Sequence, residues 1–331
     1  MGNISYSVTD VCYNFYRSSS PFNATSAYYT GNEKEQSFIA FIKQEITSHE
    51  MKVSTRKNHE STINLLRRFR PKVCFKDINY QFVCDFEMYM ESLAYNKNTI
   101  AKHMKHLKRH INAAINKDLI NLKQYPFRQY KIKTQTPNRN HLTPDELQKI
   151  ENYPSRSCFG ISRCRDMFLF SCYTGLRFSD ITRLQKDNFQ LIDGKWWLIF
   201  KSLKTGVNIK LPIYMLFDGK PIEIFKKYNQ RNFNESLFGL STSSNSAINK
   251  QLRKLARKVK LYKHISFHTA RHTCATILLY NGVQLTTVQK LLGHQSIRTT
   301  EVYSDIMDMT IVRDLAGVKK RKKERQQNED N

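Results

Sequence analysis

The chain has 331 residues, 40% hydrophobic and 25% charged, enough for two globular domains and too aromatic, with twenty Phe and seventeen Tyr, to be disordered as a whole. Fifty-four Lys and Arg against twenty-eight Asp and Glu leave a net charge of +26, which opposes compaction unless a polyanion relieves it. Nucleic acid is therefore the first partner to consider. Apolar runs such as "MFLF" and "WWLIF" fall far short of the roughly 20 residues of a membrane span, no secretory signal is visible, and Tyr6 stands where a myristoylation motif wants Ser or Thr, so no membrane partner is expected. The seven cysteines form no CxxC pair and no Cys/His zinc spacing, which points to reduced thiols, a cytoplasmic setting and no structural metal.

Residues 1–32 are rich in Ser, Asn, Thr and Tyr without a sustained period and read as a partly flexible leader. Residues 33–133 are helical in pattern: Phe38, Ile42 and Ile46 make one stripe, and Phe82, Phe86, Tyr89 and Leu93 another. In "NKNTIAKHMKHLKRHINAAINK" the apolar face is Ile100, Met104, Leu107, Ile111 and Ala114 or Ile115. Between these positions fall Lys102, His103, Lys105, His106, Lys108, Arg109 and His110, with no acid from Glu91 to Asp118. A solvated face normally mixes charge signs for i,i+4 pairing. This one does not, so Lys102, Lys105, Lys108 and Arg109 are expected to face double-stranded DNA.

Residues 134–141 form a polar, basic, Pro-containing linker. A second domain over 142–317 opens with a capping box at Thr143, Pro144 and Glu146. "MFLFSCYTGLRFSDITRL" reads as a buried helix, a break at Gly175 and a second helix that carries Arg177 and Asp180 on one face. "KWWLIFK" and "VNIKLPI" around "SLKTG" read as a β-hairpin with Lys204 at or beside its tip. "SAINKQLRKLARKVKL" is an amphipathic helix whose outer Arg253 and Arg257 are further DNA-contact candidates. "SFHTARHTCATILLYNG" is a helix ending at Asn281-Gly282, "TTVQKLLG" a short helix closed by Gly293, and "SIRTTEVYSDI" another. Residues 318–331 read as a basic disordered tail.

An Arg in a run as apolar as that around Arg177 needs an anion. Asp180 satisfies this as a buried ion pair; alternatively Arg177 faces a phosphate and Asp180 braces it. His268 and Arg271, one helical turn apart, present an imidazole beside a guanidinium fork suited to two phosphate oxygens, with His272 expected to face outward. His294 follows a glycine stop, and Tyr303 follows nine residues later.

Taken in order, "TGLRFSDI", "KTGVNIKLP", "HTARHTCAT" and "LLGHQSIRTTEVYSD" resemble the motif boxes of the tyrosine recombinase (phage integrase) family, closely over 142 to about 315 and more loosely over 33–133. The resemblance implies an integrase or invertase of a mobile element, or an Xer-like recombinase. The implied fold is mainly α with a small β-sheet, in two domains: a helical core-binding domain and an α+β catalytic domain. It implies Tyr303 as nucleophile, Arg177 and Arg271 as phosphate clamp, Lys204 as general acid, His268 and His294 assisting, and Asp180 supporting Arg177. It further implies a homo-tetramer acting on paired DNA sites, with room for accessory DNA-bending proteins. The stretch before Glu33 is shorter than a full arm-binding domain, which favours a simple recombinase or invertase. A bacterial, nucleoid-associated location follows.

Those residue types suit the chemistry. A phenol with a pKa of about 10 is ionised in about one molecule in a thousand at neutral pH, and nearby cations raise that fraction. Two guanidiniums preset around a phosphodiester stabilise the charge of the five-coordinate transition state. The leaving 5′-oxygen needs a proton that a hairpin lysine can give. No carboxylate cluster for a metal and no Walker motif accompanies the set, so no cofactor is expected. A type IB topoisomerase shares this chemistry, and a non-cutting DNA-binding regulator is the alternative outside enzymes. The recombinase-like boxes and the all-helical first half weigh against the topoisomerase, and the complete Arg/Lys/His/Tyr set weighs against the regulator.

Overall fold

The computed structural model describes residues 37–136, 140–154, 159–230, 236–240 and 242–301, with two further positions at Ile311 and Leu315. The leader expected over 1–32, the tail expected over 318–331 and Tyr303 lie outside the described residues, as do 137–139 of the expected linker. The chain separates into two compact units that divide between residues 137 and 138.

The first unit is built from helices α1 (Phe38–Ser48), α2 (Val53–Phe69), α3 (Tyr80–Ser92) and α4 (Lys97–Ile115). Three of them start where a side chain takes up an orphan backbone donor: Ser37 accepts from the Ala40 N–H, Asn79 from Phe82 and Asn96 from Thr99. The periodic positions pack as one core, with Phe38, Ile42, Phe82, Phe86, Met104, Leu107 and Ile111 all buried. Leu93, expected on the α3 stripe, is instead exposed, because α3 ends at Ser92 and Leu93 is its C-terminal cap.

The basic face expected on α4 is narrower than its sequence suggests. His103 and His110 are buried rather than outward, on the flank of the apolar stripe that meets α2, where His59 and Thr62 are also buried. His59 Nδ1 lies 3.0 Å from His110 Nε2. The Thr62 hydroxyl lies 2.8 Å from His103 Nδ1 and 2.9 Å from His106 Nδ1. Each contact needs one partner to donate and the other to accept; the His59–His110 contact in particular has no acceptor if both rings are protonated. Lys105 and Arg109 stay exposed and Lys102 half-buried on the remaining face, while Lys108 sits on the opposite flank with its ammonium 5.7 Å from the Phe127 ring centre.

In the second unit the capping box at Thr143 forms: the Glu146 N–H donates to Thr143 Oγ1 at 3.3 Å and the Thr143 N–H to Glu146 Oε2 at 2.8 Å. It opens α5 (Pro144–Glu151), followed by α6 (Phe159–Thr174) and the four-residue α7 (Phe178–Ile181). A three-stranded antiparallel sheet follows, in the order β1 (Phe189–Ile192), β2 (Lys195–Lys201) and β3 (Asn208–Leu211). The last two strands are the hairpin read from the sequence. The first was not anticipated: only Phe189 of its four residues is buried, so no alternation marks it. Helices α8 (Lys220–Asn229), α9 (Asn245–Lys258), α10 (Phe267–Tyr280), α11 (Leu285–Leu292) and α12 (Arg298–Glu301) complete the unit. Its core joins Met167, Phe168 and Phe170 of α6 to Ile248, Leu252 and Leu255 of α9 and to Phe267 and Ala270 of α10. Asp166, buried in α6, ties that helix to α8 by accepting from Lys227 and the Tyr228 hydroxyl, and it also accepts from the neighbouring Arg165. Burial pushes the thiol pKa of Cys164 up to about 11 and that of Cys274 up to about 12, as suits small core residues.

The buried histidines make the first unit acid-sensitive. Burial is the first cause and neighbouring cations the second, and together they lower the pKa to about 4 for His103 and His106 and about 3 for His110; His59 is lowered too. The unfolded chain takes up protons below a pKa of about 6.5 while the folded chain does not, so the histidines' contribution is intact above about pH 6.5 and is lost as pH falls towards 4. Stability in urea, followed by circular dichroism, is expected to drop by about 2–4 kcal/mol between about pH 7.5 and 5. The drop should shrink in a His59→Asn, His110→Asn double variant; a pH-independent midpoint in the parent chain contradicts this account.

Candidate active site

Gly175 ends α6 with φ +68°, and the chain leaves it extended, so that Arg177 sits at φ −74° and ψ 155° as the residue before α7. Arg177 and Asp180 are therefore not on one helical face, as the sequence suggested. The guanidinium spans a gap instead: Nη1 lies 3.4 Å from Ser202 Oγ and 4.0 Å from Asp180 Oδ2, and Nη2 lies 3.4 Å from the Gly293 carbonyl. Asp180 is buried and gives its hydrogen bonds to the hairpin, accepting from the Leu203 N–H at 2.9 Å and from Ser202 Oγ at 3.1 Å. It reaches Arg177 through Ser202. Burial lowers the Arg177 pKa and Asp180 opposes that shift; a guanidinium stays charged throughout.

Arg271 lies on α10, which is packed on almost every side. It is buried, and it donates to the Gly175 carbonyl at 2.7 Å and the Leu292 carbonyl at 2.6 Å. Leu292 and Gly293 are consecutive. Helix α11 stops there because Gly293 turns left-handed at φ +62°, which leaves terminal carbonyls without helical partners, at the negative end of the helix dipole. Two guanidiniums thus rest on successive peptide units. Such acceptors are invisible in a sequence; only the glycine stop hints at them.

The same stop presents His294, whose Nδ1 lies 2.8 Å from Thr300 Oγ1 and whose carbonyl accepts from Gln289. Thr300 is buried just before the end of α12, two residues short of the undescribed segment that contains Tyr303. Lys204 is exposed in the turn between β2 and β3, which is closed by Ser202 N–H to Val207 O at 2.9 Å and Gly206 N–H to Ser202 O at 2.8 Å. Gln295 donates to the Thr205 carbonyl of that turn at 3.2 Å. Of the α10 pair, His268 is the exposed ring and His272 is buried, the reverse of the expectation for His272; the two rings meet edge-on with centres 4.5 Å apart. The structure therefore gathers Arg177, Asp180, Arg271, His294 and the Lys204 turn around the end of α11. It adds Ser202, Gln295 and Thr300, which sequence reasoning missed.

The model of the phage integrase family matches residues 140–309, half of the chain, and that of the phage integrase SAM-like domain matches 37–132. The chain belongs to the phage integrase family. Among relatives, a tyrosine recombinase XerC of Rickettsia bellii (strain OSU 85-389) is 31% identical over 191 residues, covering 51% of this chain and 58% of that protein. One of Natranaerobius thermophilus is 24% identical over 252 residues, covering 70% and 79%. The chain thus spans little more than half the length of the Rickettsia relative. Among solved structures, a lambda integrase dimer bound to a COC′ core site superposes with a TM-score of 0.68 at 20% identity, covering 80% of this chain and 93% of that one. A lambda integrase tetramer bound to a Holliday junction gives the same score and identity. The fold is therefore the two-domain one expected for the family, a helical N-terminal domain followed by a mainly helical domain with a small sheet.

The close approach at Gly175 offers a direct check of how α6 and α11 meet. A Cβ there would clash with Leu292 Cδ2, on a backbone that L side chains rarely adopt. Gly175→Ala is expected to destabilise the second unit by about 2–4 kcal/mol, combining left-handed strain with overpacking. Urea unfolding followed by fluorescence of Trp196 and Trp197 measures it, and an unchanged midpoint contradicts the packing described.

Proposed function

We propose that the chain is a site-specific DNA recombinase that cuts and rejoins strands through a covalent 3′-phosphotyrosyl bond to Tyr303. The observation that carries this reading is the seating of Arg177 and Arg271 on the successive carbonyls of Leu292 and Gly293, beside His294 and the Lys204 turn. Two cations held a fixed distance apart by protein carbonyls stabilise a doubly charged phosphorane without reorganising during the reaction. Tyr303 attacks the phosphorus, Lys204 protonates the leaving 5′-oxygen, and His268 and His294 assist proton movement and hold the phosphate. The ester's bond energy is kept in the protein–DNA link, so a 5′-hydroxyl from another strand reverses the step without ATP.

Lys105, Arg109 and Lys102 on α4, together with Arg253 and Arg257 on the exposed face of α9, are the proposed contacts to the DNA backbone; Lys108, turned towards Phe127, is a weaker member of the set. Assembly as a homo-tetramer on paired sites is supported by the fold shared with the lambda integrase tetramer bound to a Holliday junction. Integration, excision and inversion use the same chemistry, and accessory DNA-bending proteins would set the direction. No described helix is long and apolar enough to cross a membrane, and the bacterial relatives favour action on the nucleoid.

The test uses a nicked duplex in which the cut strand's short end diffuses away and traps the covalent complex. Restriction fragments flanking the gene supply the DNA. The parent protein is expected to become covalently attached, and Tyr303→Phe to lose attachment entirely. Arg177→Ala, and Arg271→Lys chosen to keep the buried carbonyl contacts, should slow attachment by about 10²–10³ while duplex binding is kept. Attachment that survives Tyr303→Phe, or duplex binding without any attachment by the parent, overturns the proposal.

A further inference from the structure

The turn that carries Lys204 is held from two sides. On the inner side, both oxygens of the buried Asp180 carboxylate accept from consecutive residues of the turn, the Leu203 N–H and the Ser202 hydroxyl, and Ser202 in turn lies within reach of Arg177. On the outer side, Gln295 reaches across from the segment after α11 to donate to the Thr205 carbonyl. The packing below explains why the two segments meet. Helix α11 lies against β3, and a Cβ on Gly293 would come within 2.8 Å of Ile209 Cδ1, so the glycine stop is seated directly on the strand that leaves the turn. Gln295 stands two residues beyond that stop and one residue after His294.

We propose that Gln295 is a positioning residue for the reaction: by holding the Thr205 carbonyl it sets Lys204, the preceding residue, over the leaving oxygen before DNA arrives. The inference rests on the reading of the chain as a tyrosine recombinase. Asp180 fixes the start of the turn, at residues 202 and 203. Backbone bonds at Ser202, Gly206 and Val207 close the base of the turn. What a second side-chain attachment limits is therefore the tilt of its tip at Lys204 and Thr205, where a long lysine side chain otherwise samples many positions, of which few reach the substrate. The Gln295 amide supplies the second point and ties it to the segment that carries His294. In the step it serves, the Tyr303 oxygen bonds to phosphorus as its proton passes to a neighbouring base or water. The bond from phosphorus to the 5′-oxygen breaks, and that oxygen takes the proton of the Lys204 ammonium. Gln295 touches none of these atoms.

A substrate with sulfur in place of the bridging 5′-oxygen separates positioning of the acid from every other role. A thiol has a pKa of about 8.5, against about 15.7 for water, so the sulfur leaves as a thiolate without needing a proton. Single-turnover attachment is measured with the oxygen and the sulfur nicked duplexes for the parent, Lys204→Ala and Gln295→Glu, the last keeping size and losing the donor. Gln295→Glu is expected to be slowed about 10-fold on the oxygen substrate, a part of the 10²–10³ or more that a positioned acid supplies, and to match the parent within about 2-fold on sulfur. Lys204→Ala should show the same pattern more strongly. A parent that forms no covalent complex with either substrate contradicts the recombinase reading itself. A parent that reacts while Gln295→Glu is as fast as it on oxygen, or is slowed equally on both substrates, overturns the role of Gln295 alone. A Lys204→Ala protein that sulfur does not rescue shows that Lys204 is not the acid and overturns the inference with it.

Discussion

The site is organised by the way one short helix ends. Helix α11 stops at Gly293 because that glycine turns left-handed, and the carbonyls freed by the stop are taken by two arginines from other parts of the chain. Arg271 arrives from α10 with short bonds, and Arg177 arrives from the break after α6 with longer ones. Bringing two like charges together in a half-buried place is unfavourable, and the aligned dipoles of a helix C-terminus together with the Asp180 carboxylate offset that cost. The remaining parts are ordered around it. Gly175 and Gly293 both lack the Cβ that would push α11 away from its neighbours, and His294 and the Lys204 turn follow from where the stop is placed.

This arrangement explains a division of labour that the proposed chemistry requires. Arg271 is buried and bound twice to backbone, which suits a residue that defines a fixed point. Arg177 and Lys204 are tied through side chains of Asp180, Ser202 and Gln295, which suits the small adjustments that the proposed phosphate binding calls for. The first unit has a different economy. On α4 the positive charge lies on one exposed face, while the imidazoles that share that helix are held neutral against α2. Neutral histidines there keep cationic charge out of the core and leave the surface charge to Lys102, Lys105 and Arg109.

Much of this was legible in the amino-acid order, and the exceptions have physical causes. The helix stripes, the capping box at Thr143, the hairpin around Lys204 and the stop at Gly293 all follow from periodicity or from residues with few conformational options. The orientation of histidines did not. His272 is expected outward, and His103 and His110 fall between the apolar positions of α4, yet all three are buried, where a neutral ring with a matched partner is comfortable. The face of α4 could be divided correctly only by knowing that α2 brings His59 and Thr62 to it. The expectation that Arg177 and Asp180 share a helical face fails because the left-handed turn at Gly175 takes Arg177 out of the helix, yet Asp180 still lies 4.0 Å from the guanidinium and is linked to it through Ser202. Ser202, Gln295 and the carbonyl acceptors carry no signal of their own, because their role depends on contacts 21 residues or more apart in the chain.

The account turns on Arg177 and Arg271 forming one phosphate site before DNA binds. Crystals of the free protein grown with orthovanadate, a phosphorane mimic, test this through an anomalous map at the vanadium edge. The account predicts one vanadium at about 3–4 Å from Nη atoms of both guanidiniums, with Tyr303 as an oxygen ligand. Vanadate bound to only one of the two arginines, or only to exposed lysines elsewhere, contradicts it.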